Sequence, residues 1–124
     1  MNLSGKTALA SGATGGIGMA SAINFAKLGA NVILMARNEE KLKKTLELLD
    51  TAKGQTHSYL IADLSNDESL EKACTQIKSM KIDILLNNTG GPAGGPITEA
   101  DPVAFINTFN QHLIANHKLV QAVL

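Results

Sequence analysis

A chain of 124 residues with 11 basic and 11 acidic side chains carries no formal net charge, and nothing in that balance suggests electrostatic binding to DNA, RNA or an anionic membrane. The length allows one domain, residues 1–124, large enough to bury a core but with no room for a separate substrate domain. No apolar run reaches the roughly 18 residues that span a bilayer, and the N-terminus lacks a signal-peptide pattern, so the expected location is the cytoplasm. The single cysteine, Cys74, forms no internal disulfide and falls on the apolar side of a predicted helix, as a buried structural thiol does.

Apolar runs and amphipathic stretches alternate four times, the pattern of βαβ units around a parallel sheet. The first strand is Thr7 to Ser11; a glycine loop leads into a helix from Ile17 to Leu28, stopped by Gly29. Strand two, Val32 to Ala36, is apolar throughout, as a strand covered on both faces should be. Helix two runs from Glu39 to Ala52 behind an Asn38 cap, with Leu42, Leu46 and Leu49 on one stripe. On its wet side Glu39–Lys43 and Glu40–Lys44 are spaced to pair. Strand three is Ser58 to Ala62, and Ser65 with Glu68 makes a capping-box pattern for helix three, whose inner face is Leu70, Ala73, Cys74 and Ile77. Strand four is Ile82 to Leu86, and a glycine- and proline-rich loop follows through Pro96. Asp101 as cap and Pro102 at the first helical position start helix four, which still runs at Leu124 with no stop signal, so the chain reads as cut. Phe105, Ile106, Phe109, Leu113, Leu119, Val120 and Val123 give that helix a stripe wider than one sheet face covers, which points to self-association.

The segment from Ala10 to Gly18 reads ASGATGGIG, directly after a strand and directly before a helix. Its Gly12, Gly16 and Gly18 supply what a phosphate-binding turn requires: a tight bend, backbone close to a pyrophosphate, and a helix packed hard on its strand. The helix then aims free N–H groups and its positive dipole end at the phosphates. Ala20, Ala22 and Ala26 suit the close packing. No Lys-Ser or Lys-Thr follows the last glycine, which excludes a Walker-type loop.

These residues resemble the short-chain dehydrogenase/reductase family across the whole chain. The family's T-G-x-x-x-G-x-G is matched with Ser11 in the threonine's place. Its aspartate after strand three is matched by Asp63, followed by Leu64. Its N-N-A-G after strand four is matched by Asn87, Asn88, Thr89 and Gly90, with Thr89 departing from alanine. The resemblance implies an α/β, Rossmann-type parallel sheet of strand order 3-2-1-4 with helices on both faces, truncated before strand five. It implies cofactor contacts from Gly12, Thr14, Gly15, Gly16, Ile17, Gly18, Asp63, Leu64, Asn88, Thr89 and Gly90. NAD-binding members place an acid at the end of strand two. Here Ala36 is followed by Arg37, whose guanidinium suits a 2′-phosphate, so the expected cofactor is NADP(H) rather than NAD(H). Glu39, the nearest acid, is better placed to serve the dipole of helix two.

The family's reaction is hydride transfer between the nicotinamide and a small carbonyl or alcohol, with a serine, a tyrosine and a lysine four residues after it handling the proton. The one tyrosine, Tyr59, lies in strand three and position 63 is Asp63, so the expectation is that residues 1–124 alone turn over no substrate. The family's helix-four asparagine falls on His112, with Asn116 one turn further along, which makes His112 the one catalytic candidate. His112 and His117 stand roughly 140° apart around a helix and His57 has no partner at metal spacing, so no metal site is expected. The expected protein is a homo-oligomeric oxidoreductase. The rival reading is a non-catalytic NADP-binding module; a methyltransferase is disfavoured because Arg37 stands where it wants a carboxylate.

Overall fold

The computed structural model describes residues 1–124. Strands β1 (Thr7–Ser11), β2 (Asn31–Ala36), β3 (Ser58–Ile61) and β4 (Ile84–Leu86) alternate with helices α1 (Gly16–Lys27), α2 (Glu39–Leu46) and α3 (Asp67–Ile77). A 3-10 turn (Ile97–Glu99) precedes a last helix in three parts: α4 (Pro102–Phe109), a π-helical turn (Asn110–Ile114) and α5 (Ala115–Val123). The sheet is parallel throughout, in the expected order β3-β2-β1-β4.

The pleat sends alternate side chains to opposite faces, and each face meets its own helices. On one side Leu9, Met35 and Leu60 join Leu70, Ala73, Cys74 and Ile77 of α3 and Ala115, Leu119 and Ala122 of α5. On the other, Ala10, Val32 and Leu34 join Ala22 and Ala26 of α1 with Leu42 and Leu49. The alanines of α1 let its axis approach the sheet closely. Its C-terminus closes as the sequence predicts: Gly29 has φ +99, with Gly29 N–H donating to Ala26 O and Ala30 N–H to Phe25 O.

Four local expectations are corrected. Strand four is shorter than Ile82 to Leu86, because the Asp83 carboxylate accepts the Thr7 N–H at 2.9 Å and takes the place of a ladder bond. Helix two ends at Leu46, where Leu48 and Leu49 switch to i→i−3 bonds and Asp50 captures the Ala52 N–H. Asn66, not Ser65, caps α3: Asn66 Oδ1 accepts Ser69 N–H, while Ser65 is captured by Asp63 through both its N–H and its hydroxyl. Lys43 serves both Glu39 and Glu40, at 3.3 and 3.7 Å, and Glu40 forms no pair with Lys44.

The apolar stripe of the last helix divides. Leu119 is fully buried and Val123 packs beside it, whereas Phe105, Ile106, Phe109, Leu113 and Val120 are exposed. Leu119→Ala should therefore destabilise the chain by about 2–4 kcal/mol, through lost transfer energy and a residual cavity. Leu48→Ala, at an exposed position, should stay within about 0.5 kcal/mol. Urea unfolding midpoints at constant m-value measure both, and equal losses would refute the packing described.

Candidate dinucleotide site

In a parallel sheet of order 3-2-1-4 the connections leave β1 and β4 in opposite directions, which opens a crevice at the carboxyl ends of the strands. A cleft of about 590 Å³ lies there. Its lining follows each strand end in turn: Gly12 and Thr14 to Ile17 after β1, Met35 to Asn38 at the end of β2, Ala62 to Leu64 after β3, and Asn88 to Gly90 after β4.

The floor is a junction of β1 with β4. Ser11, fully buried, accepts the Asn88 N–H at 2.8 Å, and its hydroxyl proton lies between Leu86 O at 2.9 Å and Asn88 O at 3.0 Å. Asn88 Nδ2 reaches back toward Ser11 O and Gly12 O. Gly12 has φ +60, and a Cβ there would lie 2.6 Å from Asn88 O. At Gly18 a Cβ would overlap the carbonyl of Gly12. Ser11, at the threonine's position in the motif the sequence resembles, thus ties the end of β1 to the end of β4. Gly18 is buried and does not line the cleft, so its part is to seat α1 on β1 rather than to touch a ligand.

Helix α1 enters the cleft with its N-terminus bare. Asn38, Asn66 and Asp101 cap the other three helix starts with side-chain oxygens, but Gly15 offers α1 none, and no acid occupies its first turn. The unpaired N–H groups and the positive dipole end face the loop of Thr14, Gly15, Gly16 and Ile17, an arrangement that favours an anion. Ile17 is exposed at the mouth as an apolar surface.

At the outer end Arg37 and Asn38 are joined by Lys41, which sequence reasoning missed as a site residue. A signal was available, since Lys41 lies four residues after Arg37 in the first turn of α2. Across the cleft stands Asp63, its carboxyl held below the usual range chiefly by the Ser65 hydroxyl, then by the Ser65 N–H and the positive field of Arg37. Met35, Ala62 and Gln111 complete the lining without a signal of their own in the sequence, beside Ala36 at the end of β2.

His112 lies off the cleft and braces its wall. Gly90 O can only accept, so the 3.0 Å contact requires a proton on His112 Nε2, leaving Nδ1 to accept from the Thr89 hydroxyl at 2.8 Å. The imidazole therefore ties the loop after β4 to the π-helical turn. Asn116 stands beyond that turn, and its Oδ1, like Asn87 Oδ1, is buried without a hydrogen-bond partner. His57 is a strut: its Nδ1 accepts Val32 N–H and its Nε2 meets Asp50 O. The Tyr59 hydroxyl is committed to Glu39 at 2.8 Å, away from the cleft.

Two glycines separate fold from site. Gly16 has φ +50 but open space around its missing Cβ, so Gly16→Ala should cost only the left-handed strain, about 1–2 kcal/mol. Gly12→Ala adds a clash with Asn88 backbone, for a total of about 2–5 kcal/mol. Denaturant titrations of the two variants decide, and equal losses would rule out the close approach of β1 and β4.

The family model for short chain dehydrogenases matches residues 6–124. The 3-oxoacyl-[acyl-carrier-protein] reductase FabG of Rickettsia bellii is 41% identical over 90 residues, covering 73% of this chain and 35% of that protein. The human inactive hydroxysteroid dehydrogenase-like protein 1 is 40% identical over 88 residues, covering 69% of this chain and 26% of that protein. L-sorbose reductase from Gluconobacter frateurii, solved with NADPH and L-sorbose, superposes with a TM-score of 0.86 at 29% identity. That superposition covers 99% of this chain and 49% of the reductase, so the chain spans about half the length of its structural relative. Sequence, strand order and the glycine-loop cleft agree, and the chain belongs to the short-chain dehydrogenase family.

Proposed function

We propose that the chain is the NADP(H)-binding portion of an oxidoreductase acting on a small carbonyl or alcohol. The observation that carries this reading is a single cleft joining the bare N-terminus of α1 to the unpaired Arg37. The cradle fits a dinucleotide: glycines at the strand end leave room for backbone approach, the helix end takes the pyrophosphate, and Asp63 with Leu64 borders the adenine side. Arg37 supplies a planar donor for a phosphate on the adenosine ribose, where an acid would select the free hydroxyls of NAD. When bound, the nicotinamide supplies or accepts the hydride. Asn88, Thr89 and Gly90 form the wall between the phosphate loop and the last helix, and His112 holds that wall in place. Residues 1–124 contain no Tyr-x-x-x-Lys, so this portion binds and orients the cofactor without handling the substrate's proton. The non-catalytic reading finds support in the similarity to the inactive human relative; both readings require the same cofactor cleft.

NADP(H) should bind about 10–150-fold more tightly than NAD(H), the worth of a charge-assisted phosphate contact of roughly 1.5–3 kcal/mol. Arg37→Ala should remove most of that ratio. Calorimetric titration of both cofactors measures it, and equal affinities in the unmodified chain would overturn the NADP assignment.

The exposed Phe105, Ile106, Phe109, Leu113 and Val120 support self-association through the last helix. Covering about 400 Å² of such surface contributes ~10 kcal/mol gross, before the costs of association and ordering. Sedimentation at tens of micromolar should show dimers or larger species, whereas a folded monomer of 13.0 kDa would count against an oligomer.

A further inference from the structure

We propose that Lys41 is a second phosphate-binding cation, closing with Arg37 on the ribose phosphate as a two-point clamp that Tyr59 keeps open by holding Glu39 aside. The inference rests on the NADP reading and adds a specificity determinant to it. Both cations line the outer end of the cleft, and neither takes part in any ion pair of the chain. The Asn38 side chain fixes the turn between them, its Oδ1 accepting the Lys41 N–H at 2.9 Å and setting Lys41 in the first turn of α2.

The acids beside the clamp are accounted for one by one. Glu39, two residues after Arg37, would neutralise it if its carboxylate swung over the cleft. It is held instead by the Tyr59 hydroxyl at 2.8 Å and Lys43 at 3.3 Å. The same bonds hold the Glu39 carboxyl below its usual range, Tyr59 first and Lys43 second, and the bond to Glu39 pushes the Tyr59 phenol up, so the contact persists at neutral pH. Glu40 turns to Lys43 at 3.7 Å, and neither glutamate lines the cleft. Asp63, the one acid in the lining, is engaged by Ser65. The charged lining is thus Arg37, Lys41 and Asp63, a net positive end. A phosphomonoester carries close to two negative charges at pH 7 and recruits a second cation. The unphosphorylated ribose offers Lys41 nothing to neutralise, so the residue acts on the choice between cofactors.

The test uses the full chain and two probes that differ by the ribose phosphate alone, adenosine 2′,5′-bisphosphate and 5′-AMP. Calorimetric titration at several salt concentrations compares the unmodified chain with Lys41→Gln, Lys41→Arg, Tyr59→Phe and Arg37→Ala. Lys41→Gln should weaken the bisphosphate about 3–10-fold, leave 5′-AMP within about twofold and flatten the salt dependence. Lys41→Arg should restore the preference, and Tyr59→Phe should erode it at low salt. An unchanged preference in Lys41→Gln, with the preference lost in Arg37→Ala, overturns the clamp and leaves the NADP reading standing. Equal weakening of both probes would assign Lys41 elsewhere and also overturns it. No preference for the bisphosphate in the unmodified chain removes the NADP reading itself.

Discussion

The contact between Ser11, Gly12 and Asn88 is the constraint from which the rest of the cleft follows. Two parallel strands end side by side, and beyond their last ladder bond the backbone groups need new partners. One buried hydroxyl meets the need by accepting the Asn88 N–H while lying within reach of two carbonyls, Leu86 O at the end of β4 and Asn88 O just after it. Gly12 turns with positive φ against Asn88, and Gly18 brings α1 down onto the carbonyl of Gly12. A side chain at either glycine would separate strand from helix and move the helix end away from the phosphate loop. Close packing and ligand geometry are one problem here.

The electrostatics are built on that frame. Three helices spend a side-chain oxygen on their first turn and α1 does not, so no side chain of the chain itself neutralises its dipole end. At the other end of the cleft the acids are each tied to a neighbour, which leaves Arg37 and Lys41 as the uncommitted charges. A chain with zero formal charge thereby presents a positive pocket through pairing rather than composition. Charge counts are blind to this local field.

Thr89 and His112 depart from the family pattern together and meet in space. The Thr89 hydroxyl donates to the imidazole, and the imidazole donates to Gly90 O. The π-helical turn from Asn110 to Ile114 carries the residue that makes this contact possible, and Gln111 of the same turn reaches the cleft. An insertion in the helical ladder thus braces a loop that has no regular structure of its own, a use to which such turns are often put.

The sequence by itself determined the alternation of strands and helices, the two-faced core, the glycine loop and the Asn38, Asp101–Pro102 and Gly29 helix ends, whereas the strand order came from the family resemblance. Each of these depends on periodicity or on neighbours within a few residues, which a linear reading samples directly. Tertiary structure decided what depends on competition for a partner. Ser65 looks like a cap until Asp63 takes it, helix two looks longer until Asp50 and the 3-10 bonds end it, and Ile82 looks like strand until the Asp83 carboxylate takes the Thr7 N–H from the ladder. The candidate site divides in the same way. Its glycine-loop end was legible because strand, loop and helix are contiguous. The places of Lys41 and Gln111 on the cleft and the contacts of Tyr59 with Glu39 and of His112 with Thr89 were not, because each depends on which groups a side chain meets across the fold.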